Sequence, residues 1–319
     1  MFHADLERDG PGLLLRDITR GEDDDIAATV EIIVEFDPDI LLILGFDYDA
    51  ELRALNAFAD ALAAAGANYP HLFARRPNAG WPTGVDVDGD GRLAEAQDAH
   101  GWGRFNGQGG MAILSRLAIE DATARDFSAF LWRDLPGSRA ETVLSPEAAA
   151  ILRLSTMAIW DVAITTAAGP LHLLAIHAGA PVFDGPEDRN GLRNEDETRF
   201  LVEYLNGWSP EGPAFEADLF AVMGTFNVDP ERGEGRRAAL NALLRHPDLQ
   251  DPAPRDPDGQ LATTNWDEPS PGRLRVDYIL PSVGLTVEGA GISHTADDVL
   301  AQTASGHRLV WVDIELTAP

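Results

Sequence analysis

Apolar residues recur along the chain at two spacings, and these predict a mixture of helices and strands. Residues 24–36 begin with acidic residues and then place apolar side chains three and four positions apart, which predicts a helix. Residues 39–44 form a continuous apolar run, which is typical of a strand buried on both faces. The same patterns predict further helices at 51–65, 195–208 and 236–244, and further strands at 111–114, 159–166, 171–177, 219–223, 275–280 and 309–316.

The connections between these elements add to the picture. Residues 167–170 join two predicted strands as a β-hairpin, and Asn194 stands where the N-cap of the helix at 195–208 is expected. Two longer polar segments, 78–108 and 178–193, are rich in Gly and Asp, and loops of this length are usually functional or disordered. No stretch has the composition of a linker. We therefore expect a single domain over residues 1–319, with an insertion at about 78–108.

Charge narrows the classes of function. The chain has 53 acidic and 24 basic residues, a formal net charge of −29. A surface of this sign repels nucleic-acid phosphates at long range, so tight non-specific binding of nucleic acid is not expected. A solvated acidic coat without a partner is the simpler interpretation. Such a coat suits a salty or calcium-containing medium, which favours a secreted or periplasmic protein over a cytoplasmic one.

Two absences bound the chemistry further. The sequence contains no cysteine, which excludes disulfides and thiol catalysis. No apolar stretch approaches the roughly 20 residues that a membrane-spanning helix needs. We expect a monomer without a membrane span.

Polar residues suited to phosphoester chemistry accompany four of the predicted strands. His177 ends the strand at 171–177, and Asn227 follows the strand at 219–223. Asp277 lies in the strand at 275–280, and His307 precedes the last strand. Reactive side chains gather at strand ends because the sheet holds them rigidly there. A lone histidine in this position is more often structural, so the ordered set of four carries the argument.

The stretches around these residues resemble the endonuclease/exonuclease/phosphatase superfamily, which includes deoxyribonuclease I, sphingomyelinases and inositol phosphatases. The similar stretches, in the order of the family, are DPDILLIL, GGMAILSR, LLAIHAGAP, GTFNVDP, RVDYILPS and SGHRLVWVDIEL. Two further stretches, GPGLLLRDI and VFDGPEDRNG, resemble an uncharacterised bacterial branch. The resemblance implies an α/β fold, a four-layer α/β/β/α sandwich with two mixed β-sheets.

The resemblance also implies a reaction, the metal-assisted hydrolysis of a phosphoester. His307 would be the general base that takes a proton from the attacking water. His177 and Asn227 would stabilise charge on the phosphoryl oxygens, and Asp277 would orient water or a catalytic histidine. A divalent ion, Mg²⁺ or Mn²⁺, would neutralise charge on the phosphate.

The sequence departs from the family pattern at the metal-binding positions. Thr225 replaces the Asp of the GDxN motif, His3 replaces an Asn after the first strand, and Gly306 replaces the Asp before the last His. Leu44-Gly45 stand where the family has Gln-Glu, the Glu being its main metal ligand. The lost carboxylates are the hard oxygen donors that Mg²⁺ prefers. The first strand has few apolar residues before His3, so either the chain starts late or this strand is mostly missing.

Two acidic residues follow the second strand closely and offer replacements for the lost carboxylates. Asp47 and Asp49 are displaced ligands of a catalytic metal or residues of a solvated loop, and the sequence weighs these two interpretations evenly. An active enzyme with a rearranged site would use Asp47, Asp49, Asp277 and His3.

The segment DVDGDGR carries a separate metal signal. Alternate carboxylates on a tight turn with a Gly converge on one point, as in calcium loops. The expected ligands of a structural Ca²⁺ are Asp86, Asp88, Asp90, Arg92 and Asp98. The twelfth position is Gln97 rather than the bidentate Glu of an EF-hand, and a solvated acidic loop is the alternative.

The loop after His177 contains a candidate for phosphate binding. Arg189 and Asn190 either contact the substrate or tether the loop and cap a helix. Together these features predict a metal-dependent phosphoesterase acting on a small phosphoester or nucleotide, since the net charge of −29 disfavours polymeric DNA. The alternative is a scaffold that has lost catalysis and acts as a calcium-stabilised binding protein.

Overall fold

The computed structural model describes residues 1–267 and 270–316. In chain order these residues form β1 (Phe2–Leu6), α1 (Leu13–Arg20), α2 (Asp24–Phe36), β2 (Ile40–Phe46), α3 (Arg53–Ala65), β3 (His71–Ala74), β4 (Gly110–Ser115), β5 (Arg125–Asp126), α4 (Ala140–Val143), α5 (Pro146–Ile151), β6 (Ala158–Thr166), β7 (Gly169–His177), α6 (Arg189–Leu205), β8 (Phe220–Thr225), α7 (Ala238–Leu244), β9 (Asp277–Pro281), β10 (Thr286–Ile292), α8 (Val299–Ala304) and β11 (Val310–Glu315).

The longer strands form two mixed sheets. The first has the order β1-β2-β4-β3, in which β1 runs parallel to β2 and the other neighbours are antiparallel. The second has the order β5-β6-β7-β8-β9, in which only β7 and β8 are parallel. A third sheet of two strands, β10 and β11, was not expected. It adjoins the first sheet, because the Val310 amide donates to the Met1 carbonyl at 2.9 Å.

Alternation along β2 shows how the layers stack. Leu41 and Ile43 are fully buried against the apolar side chains of α2 and α3. Leu42 and Leu44 point the other way and share a cluster with Trp160 of the second sheet. Both faces of β2 are therefore covered, which explains its continuous apolar sequence.

The second sheet is covered on its far side by helices. Leu174 and Ile176 of β7 pack in one cluster with Phe200 and Leu201 of α6. The layers are thus helix, sheet, sheet and helix. The predicted fold class is confirmed.

The sequence placed the start of α6 wrongly. The helix begins at Arg189 rather than at residue 195, so the loop after β7 covers only residues 178–188. Asn194 lies inside this helix and is buried, which contradicts its prediction as an N-cap. Its Nδ2 donates to the Gly179 and Phe226 carbonyls at 2.7 and 2.8 Å. The side chain therefore ties α6 to two loops of the second sheet.

The first strand corrects another expectation. Phe2–Leu6 forms β1 and pairs with β2, so this strand is present. The prediction also omitted α1, β3, α8 and β10. In β10, Gly291 lies under the Trp311 ring, where an added Cβ would come within 2.7 Å of the indole. Glycines of this kind interrupt the side-chain pattern that predicts a strand. They are required by close packing against a side chain that is distant in the sequence. Within the described ranges, no helix combines the length and apolarity needed to cross a membrane.

Candidate functional site

Three of the site residues sit side by side across the second sheet. His177 at the end of β7 pairs with Thr225 at the end of β8. Thr225 in turn pairs with Asp277 at the start of β9. All three side chains are buried. The register of these strands therefore brings together residues that lie up to 100 positions apart in the sequence.

His307 joins this edge from the turn before β11. Its Nδ1 lies 2.8 Å from Oδ2 of Asp277, and its backbone amide donates to Ser305 Oγ at 2.9 Å. Burial lowers the pKa of His307, but the charge and hydrogen bond of Asp277 outweigh burial and raise it. The same contact lowers the pKa of Asp277 against the opposing effect of burial. The two residues form a carboxylate–imidazole pair that leaves Nε2 of His307 for water or a ligand.

His3 completes a cluster of three imidazoles. Its ring centroid lies 4.0 Å from that of His307 and 4.9 Å from that of His177. Burial, followed by repulsion from His307, lowers the pKa of His3 to about 4. Burial also lowers the pKa of His177 well below its usual range. His3 and His177 are therefore neutral near pH 7, and neutral imidazole is the form that binds metals.

Asp5 places a carboxylate at the same edge, and the sequence prediction missed it. The residue has φ of 51°, within an irregularity of the β1–β2 register between His3 and Leu6. Its Oδ2 accepts hydrogen bonds from Ser305 Oγ at 2.7 Å and from the Gly306 amide at 3.0 Å. A left-handed residue in a bulged strand redirects its side chain. The sequence signal is an acidic residue two positions after His3 in a strand whose other residues are apolar.

Gly45 explains why the family's Glu is absent from β2. The residue has φ of 66°, and an added Cβ would lie 2.8 Å from Cδ2 of His3. Real Cβ atoms do not approach so closely. The imidazole of His3 therefore occupies the space where a side chain at position 45 would begin, so the two departures from the family pattern belong together.

These residues open into a cavity of about 650 Å³. His3, His177, Asn227 and His307 line it, together with Asp5, Glu7, Trp102, Arg189 and Asn190. The amide of Asn227, a residue with φ of 55°, donates to the Ala178 carbonyl at 2.8 Å. The structure thus brings together His177, Asn227, Asp277 and His307, the four residues that the sequence selected.

Glu7 is a further titratable group in this cavity that the sequence prediction missed. Burial, followed by repulsion from Asp5 and Asp47, raises the pKa of Glu7 to about 7. Glu7 stands two residues after Asp5 on the same segment of chain. An isolated glutamate after a short strand gives no sequence signal, because its environment depends on packing alone.

Arg189 and Asn190 have tethering contacts as well as a place in the cavity wall. A guanidinium nitrogen of Arg189 donates to the Val87 carbonyl at 3.3 Å. Nδ2 of Asn190 donates to the Val182 carbonyl at 2.8 Å. These bonds hold the segments 78–108 and 178–188 against α6. Substrate contact by either residue remains a prediction.

The expectation that Asp47 and Asp49 are displaced metal ligands is not supported. Asp47 accepts hydrogen bonds from the Arg8 and Gly109 backbone amides at 2.9 and 3.0 Å, so each of its carboxylate oxygens has a backbone partner. Asp49 accepts from the Arg53 and Ala54 amides, each at 2.9 Å, at the start of α3. A carboxylate at a helix N-terminus satisfies unpaired amides there. The two residues stabilise backbone near the site rather than line the cavity.

The acidic loop of residues 86–98 brings together three of its five expected ligands, and the group does not include Asp90 or Arg92. Asp86, Asp88 and Asp98 each offer an oxygen within 4.8 Å of the others. Within the described part of the chain, Asp90 does not belong to this group. Its Oδ1 accepts from the Arg92 amide at 2.8 Å. Calcium binding by this loop remains a prediction, and so does the part of Asp90 and Arg92 in it.

Comparison with known proteins shows the family of the chain. The sequence profile of the Endonuclease/Exonuclease/phosphatase family matches residues 18–305. The chain belongs to this family. A search of curated protein sequences finds no match.

Solved structures with similar folds cover almost the whole chain. One is an endonuclease/exonuclease/phosphatase from Beutenbergia cavernae, with 17% identity and a TM-score of 0.59 over 98% of this chain and 69% of that one. A 3'-5' exonuclease from Neisseria meningitidis has 14% identity and a TM-score of 0.52, covering 92% and 97%. A mannosyl-6-phosphatase from Bacteroides thetaiotaomicron has 15% identity and a TM-score of 0.51, covering 94% and 94%. At these identities the likeness shows a common fold.

Proposed function

We propose that this protein hydrolyses phosphoesters at the cavity where His3, His177 and His307 meet. The observation that carries the proposal is the Asp277–His307 pair, which opens into the same cavity as His177 and Asn227. The family includes phosphoester hydrolases, and structurally similar proteins are described as an exonuclease and as a sugar phosphatase.

The residues divide the work of the reaction. Asp277 accepts the Nδ1 proton of His307 in a hydrogen bond and so fixes the tautomer whose Nε2 is a base. Nε2 takes a proton from water while the water oxygen forms its bond to phosphorus. The bond from phosphorus to the leaving oxygen breaks, and that oxygen leaves as an alkoxide that takes a proton from solvent water, while His307 later returns its proton to solvent. Asp277 stabilises the resulting imidazolium of His307.

His177 and Asn227 act on the phosphoryl oxygens. His177 is neutral at the pH of the reaction, and the N–H of a neutral imidazole donates a hydrogen bond to a phosphoryl oxygen. Asn227 uses one N–H on the Ala178 carbonyl, which fixes the amide and leaves its second N–H for the substrate. Fixed donors aimed at developing charge require no reorganisation during the reaction.

A divalent ion fits this site, although the donors differ from those of the family pattern. His3, Asp5 and His307 each offer a ligand atom within 4.8 Å of the others. Nε2 of His3 lies 3.4 Å from Oδ1 of Asp5, so a nitrogen and a carboxylate oxygen face each other there. A bound ion would neutralise charge on the phosphate.

The shape of the site supports a small substrate with an organic group. A second cavity of about 820 Å³ adjoins the first and shares Asn227, Phe183 and Trp266 as walls. Phe183 is 92% exposed with φ of 70°, an unfavourable conformation for an aromatic residue. The Trp266 ring packs edge-on against the imidazole of His307, with 5.3 Å between the two ring centroids. We place the organic group of the substrate between these two aromatic side chains.

We also assign a structural Ca²⁺ to the acidic loop. Asp86, Asp88 and Asp98 supply the converging oxygens that Ca²⁺ prefers. Asp98 additionally accepts from the Val87 amide at 2.9 Å, and Val87 lines the catalytic cavity. An ion in this loop would therefore stiffen one wall of the site.

Hydrolysis of a chromogenic diester tests the proposed function. Bis-p-nitrophenyl phosphate is incubated with the full chain and Mn²⁺, Mg²⁺ or Ca²⁺, and with EDTA as the metal-free control. We expect release of p-nitrophenol with at least one ion and loss of the activity in EDTA. No turnover with any ion would contradict the proposal and favour the alternative, a scaffold that binds its ligand without cleaving it.

A further inference from the structure

We propose that Asp5 supplies the carboxylate that the sequence lacks at position 306, and that Asp5 and His3 bind a transition-metal ion in preference to Mg²⁺. This inference rests on the proposed function, because the ion would sit in the same cavity. It assigns the ion to the first strand of the fold.

The backbone of β1 directs the side chains of His3 and Asp5. Side chains two positions apart on a strand share one face, so His3 and Asp5 both point away from the apolar cluster that contains the alternate residues of β1. The register with β2 is irregular between His3 and Leu6, and Asp5 within this stretch has a left-handed backbone. Asp and Asn adopt that conformation more readily than other residues with a side chain. A strained residue that directs a carboxylate into a cavity indicates a function.

The second step is the position of the Asp5 carboxylate. Oδ2 is held by Ser305 and the Gly306 amide, so the group lies directly against position 306. An added Cβ at Gly306 would lie 3.6 Å from this oxygen. A carboxylate on residue 306 would therefore emerge beside the one that Asp5 already provides.

The third step is the distance between the two donors. Nε2 of His3 lies 3.4 Å from Oδ1 of Asp5. Two ligand atoms that are each about 2.1 Å from one ion at a tetrahedral angle are about 3.4 Å apart. The other Asp5 oxygen is held by Ser305 and Gly306, which fixes the carboxylate as an outer hydrogen bond fixes a metal ligand.

The fourth step is donor chemistry. Mg²⁺ takes oxygen ligands, and imidazole nitrogen suits later first-row ions. Carboxylates are absent at Thr225, Gly45 and Gly306. The proposed pair is the imidazole of His3 and the carboxylate of Asp5, and Glu7 is a further carboxylate in the cavity. This donor set selects an ion such as Co²⁺ or Zn²⁺. His307, whose Nδ1 is held by Asp277, keeps its role as base.

Calorimetric titration with Co²⁺ and with Mg²⁺ tests the inference independently of turnover. All titrations use the full chain with Asp88→Asn, so that the acidic loop does not contribute. We expect Co²⁺ to bind at least about tenfold more tightly than Mg²⁺, and Asp5→Asn to weaken Co²⁺ binding by at least about tenfold. Asp9→Asn is the matched control, because Asp9 is exposed and pairs with Arg104, and it should leave the affinity unchanged.

Moving the carboxylate gives the sharper test. Asp5→Asn combined with Gly306→Asp should restore Co²⁺ binding to within about threefold of the parent, since the new group starts beside the old one. His307→Gln should keep Co²⁺ binding and lose hydrolysis. Tighter binding of Mg²⁺, an unchanged affinity in Asp5→Asn, no recovery in the folded double variant, or loss of Co²⁺ in His307→Gln would each overturn the inference. Co²⁺ binding as described without any hydrolysis would instead overturn the proposed function alone.

Discussion

The surroundings of each histidine in the cavity determine what that residue can do. His307 has a carboxylate on Nδ1 and therefore holds a proton readily. His3 and His177 have no such partner within the described residues, and their Nδ1 atoms are buried. Three residues of one type thus take different roles because Asp277 contacts Nδ1 of His307, whereas Asp5 lies 3.4 Å from Nε2 of His3.

The rate should depend on pH through His307. Asp277 raises the pKa of His307 above its usual value of about 6.5, and the protonated form cannot act as a base. We expect kcat/KM for bis-p-nitrophenyl phosphate to rise with pH until His307 is deprotonated. Asp277→Asn removes the stabilising charge, so the inflection should move to lower pH and the maximal rate should fall. An inflection that stays in place in this variant would contradict the pairing.

Replacing the hydroxyl of Thr225 should increase the stability of the protein. Its hydroxyl is buried without a hydrogen-bond partner among the described residues, which costs about 1 kcal/mol or more. Thr225→Val should therefore raise the free energy of unfolding of the metal-free protein by about 1 kcal/mol, measured with urea.

Thr263→Val is the matched control for that measurement. The Thr263 hydroxyl accepts from the Val276 and Asp277 amides at 3.1 and 3.2 Å. Its loss should lower the free energy of unfolding by about 1–2 kcal/mol. If both variants lose stability equally, the hydroxyl of Thr225 has a partner after all.

At the scale of single residues, the sequence predicted four residues of the candidate site. His177, Asn227, Asp277 and His307 were found because each accompanies a strand that the apolar pattern reveals. Asp5 was missed because its direction depends on a bulge and a left-handed backbone. No local pattern in the sequence encodes that geometry.

At the scale of elements, α6 shows why one helix start was predicted and another was not. The start of α2 was predicted because acidic residues precede a clear apolar spacing. The first turns of α6 bury polar residues instead, and Glu197 in this helix accepts from the Thr156 and Gly179 amides. Hydrophobic periodicity cannot detect a helix whose buried face is polar. That face anchors two loops around the cavity.

The carboxylate of Asp49 should stabilise α3 and have no part in metal binding. It accepts from the Arg53 and Ala54 amides at the start of the helix. Asp49→Ala should lower the free energy of unfolding by about 1 kcal/mol, in line with loss of a helix cap. Co²⁺ affinity, titrated in the Asp88→Asn chain, should remain as in the parent. Weaker Co²⁺ binding with unchanged stability would restore Asp49 as a ligand.

The segment 78–108 should respond to calcium. If Asp86, Asp88 and Asp98 bind Ca²⁺, the ion stabilises the folded state in proportion to its occupancy. We expect the Tm to rise by several degrees in millimolar Ca²⁺ and the rise to disappear in Asp88→Asn. Asp90→Asn serves as the comparison, since Asp90 lies outside the group of three converging carboxylates. An equal loss in both variants would return Asp90 to the set.

At the scale of the whole molecule, the fold was accessible from the sequence and the substrate was not. Long apolar runs predicted strands covered on both faces, and the resemblance to the family implied the four-layer arrangement of helices and sheets. The small β10–β11 sheet was not predicted, because the glycines of β10 leave room for the Trp311 ring and so interrupt the strand pattern. Charge supplied a further constraint: a net charge of −29 opposes a polyanionic substrate, whereas the two adjoining cavities have room for a small one.

The measurement that tests the account most directly is the steady-state rate of diester hydrolysis in a single-residue variant. Bis-p-nitrophenyl phosphate is turned over by the wild type, by His307→Gln and by His71→Gln, a half-buried histidine on β3 that serves as control. The account predicts that His307→Gln loses at least about a hundredfold in kcat, as expected for removal of a general base, and that His71→Gln matches the wild type. Equal rates in all three proteins would contradict hydrolysis at this cavity.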